Sequence, residues 1–264
     1  WRLCSLPPYS GPQCPEAEPQ YSEVRVGGEG SGRLCEREVS ALLSPIFRDR
    51  SDAGRKLAER LEDYAGRDDL AVLGLPRGGL PVAYEVAQAL HAPLDVFVVR
   101  KLGVPGHEEL AMGAIASDGI RVLNEDVVRM LGISQKTIER VTEEEKRELE
   151  RRERTYRGDL PPLAIEGRHV VLVDDGLATG ATMRAAVAAA RQKAPSGITV
   201  AVPAAASEAC AALASEVDRI VCAATPEPFI AIGVWYADFR QVSDAEVRQL
   251  LASAEGWLTS ERQE

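Results

Sequence analysis

From Phe47 onward, short runs of consecutive apolar residues alternate with stretches whose apolar residues recur every three or four positions. AVLGL (Ala71–Leu75), HVVLV (His169–Val173), ITVAVP (Ile198–Pro203) and RIVCAA (Arg219–Ala224) are apolar almost throughout. Such runs predict strands covered on both faces. LDVFVV (Leu94–Val99) predicts another strand, AMGAIA (Ala111–Ala116) a further one, and IRVL (Ile120–Leu123) its hairpin partner. Between the runs, Asp52–Tyr64 predicts a helix, and Leu80, Ala83, Ala87 and Leu90 fall at helical spacing, with Pro81 tolerated in the first turn. Met183, Ala186, Val187 and Ala190 form a second helical stripe. The alternation predicts an α/β fold, a doubly wound, mainly parallel sheet with helices on both faces. Ligands of such sheets bind beyond the carboxyl ends of the strands.

Two regions depart from this rhythm. Thr137–Arg157 is densely charged, with helix-supporting pairs Glu143–Arg147, Glu148–Arg152 and Glu150–Arg154 and a thin apolar stripe of Ile138, Val141, Leu149 and Tyr156. It reads as a helical insertion with a solvated face; a partner-binding helix that makes a homodimer is the alternative. Residues 1–44 are rich in Pro, Gly, Ser and Glu and include GGEGSG at Gly27–Gly32. They predict a flexible, disordered leader, with one domain spanning 45–264.

Composition narrows the partners. The 264 residues carry 45% hydrophobic and 27% charged side chains and a net charge of −10, which disfavours a broad basic face for nucleic acid. No apolar run reaches the ~18 residues of a membrane span, and the first residues lack an apolar signal core. The five cysteines (Cys4, Cys14, Cys35, Cys210 and Cys222) include no C-x-x-C pair. An odd count without that spacing suggests neither a disulfide framework nor a zinc site. Cys210 and Cys222 sit in apolar surroundings as core thiols, and a cytoplasmic protein is expected.

The most informative residues are VVLVDDGLATGAT, Val170–Thr182. An apolar strand ends at Asp174 and Asp175, a turn follows with Gly176, Thr179 and Gly180, and a helix begins. Glycines let the backbone approach a ligand and turn its amides inward. Those amides, the Thr179 and Thr182 hydroxyls and the positive helix start suit a terminal phosphate. Carboxylates do not bind phosphate, so the acidic pair calls for a hydroxylic or cationic group, which a ribose diol with hydrated Mg2+ satisfies. Two acids that merely cap the turn and helix are the alternative.

The segment closely resembles the signature of type I phosphoribosyltransferases, which bind 5-phosphoribosyl-1-pyrophosphate (PRPP). The resemblance spans about Phe47–Leu251 and implies that fold, with a small hood over the site. It implies that Asp174 and Asp175 hold the ribose hydroxyls and, through water or those hydroxyls, Mg2+. Gly176, Ala178, Thr179, Gly180, Ala181 and Thr182 would cradle the 5-phosphate. Purine-salvage members carry Asp where this chain has Ala178, which argues against 6-oxopurine specificity, whereas orotate-type members have small residues there. PRGG (Pro76–Gly79) resembles the pyrophosphate loop, with Arg77, Gly78 and Gly79 as ligands. Arg100 and Lys101, followed by LGVPGHEELAMG, resemble the flexible catalytic loop, a lid over the departing pyrophosphate. His107 falls later than the His of the orotate-type loop. PEPFIAIGVWYADF (Pro226–Phe239) resembles the base-covering hood, with Phe229 and Trp235 expected to stack on a base; a buried strand would contain the same aromatics. The implied activity is Mg2+-dependent transfer of the phosphoribosyl group to an unidentified nucleobase-like acceptor. A non-catalytic PRPP-sensing regulator is the nearest rival, and a phosphate-accepting receiver module a more distant one.

Overall fold

The computed structural model describes residues 44–158 and 160–260, so the predicted leader lies, apart from Ser44, outside the described residues. From Pro45 onward the described residues form one compact unit. In chain order the elements are α1 (Arg50–Ala58, extended by a 3-10 turn Glu59–Tyr64), β1 (Leu70–Gly74), α2 (Gly79–Leu90), β2 (Leu94–Val96), β3 (Val99–Val104), β4 (His107–Ala116) and β5 (Ile120–Leu123). They continue as α3 (Glu125–Met130), α4 (Gln135–Arg157), β6 (His169–Val173), α5 (Ala181–Arg191), β7 (Gly197–Ala204), α6 (Ser207–Leu213), β8 (Arg219–Ala224) and α7 (Asp244–Ser260).

Five strands form a parallel sheet in the order β2-β1-β6-β7-β8. β1, β6 and β7 are buried on both faces, as their unbroken apolar runs require, whereas the edge strand β8 is only partly covered. Successive residues point to opposite sides. Val170 and Leu172 of β6 pack with Met183, Ala186, Val187 and Ala190 of α5 and with Leu213 of α6. Val171 and Val173 face Leu57, Val82, Val86 and Leu90 of α1 and α2. Each of the Val, Leu and Met side chains among these contributes about 1.5–3 kcal/mol by leaving water, so both faces are essential to the sheet.

LDVFVV proves to be two strands. After Val96 the chain leaves the parallel sheet: Phe97 N–H still donates to Gly74 O at 2.9 Å, while Val98 O already accepts from Ser117 N–H at 3.2 Å. Phe97 and Val98 are both buried at the crossover, so the apolar run shows no break where the sheets change. β3, β4 and β5 form the second, antiparallel sheet.

The segment after Arg100–Lys101, expected to form a lid, folds as the β3–β4 hairpin, with turn residues Pro105 and Gly106 and register shifts near Gly103. Gly106 has φ +80°, the conformation a Pro-Gly turn needs at its second corner. Leu102 and Val104 are buried, which anchors this segment as a strand.

The charged helix α4 buries Ile138, Val141, Leu149 and Tyr156, the four positions of its thin stripe. They join a third core with Val98, Leu102, Met112 and Ile115 from the antiparallel sheet and Val247 of α7. Glu143–Arg147 and Glu148–Arg152 pair at 3.3 and 2.8 Å, whereas Glu150 faces Lys146 at 3.8 Å rather than Arg154.

Candidate active site at the switch point of the sheet

The strand order reverses between β1 and β6: the chain moves outward from β1 to β2 on one side and from β6 through β7 to β8 on the other. A crevice at such a point opens at the carboxyl ends of the two strands. The loops that open there are Pro76–Gly79 after β1 and Asp174–Gly180 after β6.

These loops touch through glycine. A Cβ on Gly78 would strike the Asp175 carboxylate, with Cγ only 2.7 Å away, and one on Gly79 would lie 2.7 Å from both Asp174 Cα and Val173 O. Only residues without side chains allow this approach. Arg77 reaches outward, 3.7 Å from Asp244 at the start of α7.

Leu177 shapes the second loop. Its N–H donates to Ala204 O (2.8 Å) and its C=O accepts from Ala206 N–H (2.9 Å), pinning the buried side chain beside β7. Ala178 and Thr179 are thereby left exposed, and Gly180 turns through φ +73° into α5. No side chain caps that helix through its N-cap Gly180, and the Thr179 hydroxyl meets the Ala181 amide only at 3.5 Å, which leaves first-turn amides that an anion could take.

The acidic pair is half-buried. Burial and the neighbouring Asp175 push the Asp174 carboxyl well above the usual carboxylate range. Burial also raises Asp175, while the Arg50 guanidinium pulls it back down. Arg50 donates Nε and Nη2 to Asp175 Oδ2 at 2.9 and 2.8 Å. Asp174 Oδ1 accepts the Asp175 amide at 2.9 Å. Tyr236, its phenol pushed up by burial and so kept protonated, donates to Asp175 O at 2.6 Å.

Tyr236 belongs to a small hood. Ile46 and Phe47 N–H both donate to Trp235 O at 3.0 Å, and Ala237 N–H donates to Phe47 O at 2.9 Å, joining residues 46–48 to 235–238. A 3-10 turn, Ile232–Trp235, packs over Gly176, where a Cβ would lie 2.6 Å from Ile232 Cγ2.

Crossed strand order, an anion-ready loop and an acidic pair describe a site; comparison with known proteins supplies its lineage. The model of the phosphoribosyl transferase domain matches residues 47–227. The chain belongs to the type I phosphoribosyltransferase family. Proteins of two Mycobacterium tuberculosis strains, CDC 1551 and H37Rv, both provisionally named phosphoribosyl transferases, are 48% identical over 209 residues. The match covers 79% of this chain and 47% of theirs, so the chain spans about half the length of these curated relatives. The crystal structure of TT1426 from Thermus thermophilus is 43% identical, with a TM-score of 0.72 over 78% of this chain and 98% of that one.

Within this phosphoribosyltransferase fold, the expected site residues divide. Gly78 and Gly79 meet Asp175 and Asp174 at the head of the loop that continues through Thr182, whereas the Arg77 side chain turns away to Asp244. Arg100 instead pairs with Glu145 of α4, Nε to Oε2 at 2.6 Å. Lys101, its neighbour on β3, points to the opposite side of the ribbon and is exposed, as is His107. No hydrogen bond or ion pair among the described residues joins either cation to the loop after β6. Trp235 is 2% exposed, so its ring belongs to the core and offers no face to a base. Phe229, half-buried and 6.3 Å from that indole, keeps partial access.

Arg50 was not foreseen. Its partner lies 125 residues away, beyond any local pattern. One signal exists: Asp49 caps α1, so Arg50 puts a cation on the first turn, where the helix dipole disfavours it.

Proposed function

We propose that the protein transfers the 5-phosphoribosyl group of PRPP to a nitrogenous base and releases pyrophosphate. The observation that carries this reading is the direct packing of Gly78 and Gly79 on Asp175 and Asp174 at the switch point. It puts a basic, glycine-rich loop and an acidic, phosphate-ready loop on one crevice.

In this reading the diol of the ribose hydrogen-bonds to Asp174 and Asp175. The 5-phosphate sits on Gly176–Thr182, at the uncapped start of α5. Arg77 and the amides of Gly78 and Gly79 take the pyrophosphate, Arg77 leaving Asp244 to do so. Lys101, free of any ion pair among the described residues, adds charge if the hairpin bends toward the crevice. Arg100 acts through its Glu145 pair as a brace for that hairpin. Phe229 stacks on the base, and Ala178 leaves the base without a carboxylate partner at that position.

Positive charge develops on the sugar and negative charge on the leaving group as the C1–O bond breaks. Positioning and electrostatics therefore supply most of the acceleration. The donor set fits a magnesium ion held mainly by substrate and water: two carboxylates are present, and no group of three or more His, Cys, Asp or Glu side chains converges among the described residues. Bound there, Mg2+ would neutralise pyrophosphate charge.

Calorimetric titration of PRPP with Mg2+ tests the reading. The wild-type chain is expected to bind saturably and Asp175→Asn at least about tenfold more weakly, the loss of one hydrogen bond to a charged group. Screening bases for pyrophosphate release then separates an enzyme from a PRPP sensor. Failure of folded wild-type protein to bind PRPP overturns the proposal.

A further inference from the structure

We propose that Arg50 is the positioning residue of the acidic pair, setting Asp175 so that the site recognises the hydroxyls of a ribose phosphate. The inference rests on the phosphoribosyl reading above and deepens it.

Arg50 is held on three sides. Nε and Nη2 converge on Asp175 Oδ2 at 2.9 and 2.8 Å, Nη1 donates to Arg240 O at 2.8 Å, and the guanidinium carbon lies 3.9 Å from the centre of the Phe239 ring. Its side chain is only 11% exposed. A forked, planar cation fixed in this way holds its acceptor in one orientation, which a single ammonium would not.

The consequence falls on Asp175. Oδ2 takes two donors from Arg50 and occupies the notch that Gly78 leaves by lacking a side chain. Among the described residues, Asp175 Oδ1 and Asp174 Oδ2 accept no hydrogen bond from another residue, and neither is an isolated buried atom. These two oxygens, on consecutive residues at the end of β6, are the acceptors left for a ligand. A vicinal diol offers two O–H donors to match them. Without Arg50, Oδ2 would lose its only side-chain partner among the described residues and the carboxylate would be free to rotate, so that Oδ1 no longer meets its hydroxyl. Among the described residues no hydrogen bond or ion pair joins Arg50 to Gly176–Thr182, so the amides of the phosphate loop are kept either way.

The same latch reaches the hood. Arg240 and Phe239 follow directly on residues 235–238, so Arg50 connects the acidic pair to the segment above the crevice.

Binding of ribose 5-phosphate, its 2-deoxy and 3-deoxy counterparts, and inorganic phosphate to the full chain provides the test. Wild-type protein is expected to prefer ribose 5-phosphate over at least one deoxy counterpart by about tenfold or more. In Arg50→Met that preference should fall to within about threefold, while affinity for inorganic phosphate stays within about twofold, differences of well under one hydrogen bond. Arg50→Lys should be intermediate, and carries the comparison if the Met variant does not fold. A preference retained in both variants overturns the role of Arg50 alone. Parallel loss of inorganic phosphate binding assigns Arg50 a merely structural role and also overturns it. Folded wild-type protein that shows no preference for the ribose overturns the phosphoribosyl reading itself.

Discussion

Gly78 carries the tightest steric demand in the crevice. Its φ of −63° and ψ of −36° suit any residue, so what excludes a side chain is the Asp175 carboxylate alone. Gly78→Ala is expected to destabilise the fold by about 1–3 kcal/mol through overpacking and to weaken PRPP binding by at least about tenfold. Thermal unfolding and calorimetry would measure the two effects. Gly197→Ala makes the control: its Cβ would crowd the His169 ring, 2.6 Å from Nδ1, at the ends of β6 and β7 opposite the crevice. Equal loss in both variants would argue that crowding in general, not displacement of Asp175, governs binding. Single residues were unevenly legible in the sequence. Asp174 and Asp175 stand out because charge interrupts an apolar run at a strand end and glycine follows. Trp235 was misplaced because an aromatic in an apolar stretch reads the same whether it stacks on a ligand or fills a core. Arg50 was invisible because its meaning depends on a contact made only after folding.

At the scale of elements, apolar periodicity located the five parallel strands and the helical stripes, including all four buried positions of α4. It failed where a run crosses between sheets, at Phe97–Val98, because burial on both sides of the crossover leaves no polar mark. It gave no sign of the β3 strand at Leu102–Val104, where Gly and Pro interrupt the apolar pattern although Leu102 and Val104 are buried in a ribbon. Helix α7 shows a local code that does survive folding. Ser243 and Glu246 form a reciprocal capping box: Glu246 Oε2 accepts from Ser243 N–H at 2.8 Å, and Glu246 N–H donates to Ser243 Oγ at 3.2 Å. This cap fixes the start of the helix that presents Asp244 to Arg77. The Ser243 amide, with Arg240 and the Ser243 hydroxyl, holds the Glu246 carboxyl down at about 2 from an ordinary 4.5. A carboxylate lowered in the folded state stabilises fully above its unfolded pKa and loses that effect as pH falls toward the folded one. Glu246→Ala should therefore cost about 1 kcal/mol at neutral pH. The gap to wild type should shrink between pH 4.5 and about 2, read by urea unfolding across that range. A pH-independent gap would show that the cap acts without its charge.

Over the whole molecule, the crevice is assembled from positions far apart in the chain: Arg50 before the first strand, Arg77–Gly79 after β1, Asp174–Thr182 after β6, and Phe229–Tyr236 beyond the last strand. That the two loops open on one edge followed from their place after buried parallel strands. The strand order that brings them together at a switch point did not, since pairing among buried parallel strands leaves no trace in local pattern. The hood joins residues 46–48 to 235–238, so both ends of the sheet domain close over the same site. In the proposed mode PRPP bridges Arg77–Gly79 and Asp174–Thr182, and any unfolding that separates these segments must release it. Binding to the folded state alone stabilises by RT ln(1 + [L]/Kd), about 2.7 kcal/mol at a hundredfold excess over Kd. For a domain of this size that is roughly a 5–10 °C rise in Tm. PRPP with Mg2+ is expected to produce it when followed by differential scanning calorimetry. Inorganic phosphate, which engages only the loop after β6, should give a smaller rise at the same concentration. Asp175→Asn should lose most of the difference between the two ligands while keeping the phosphate effect. If PRPP and phosphate shift Tm equally in the wild type, the acidic pair and the Pro76–Gly79 loop take no part in binding, and recognition reduces to an anion at the start of α5.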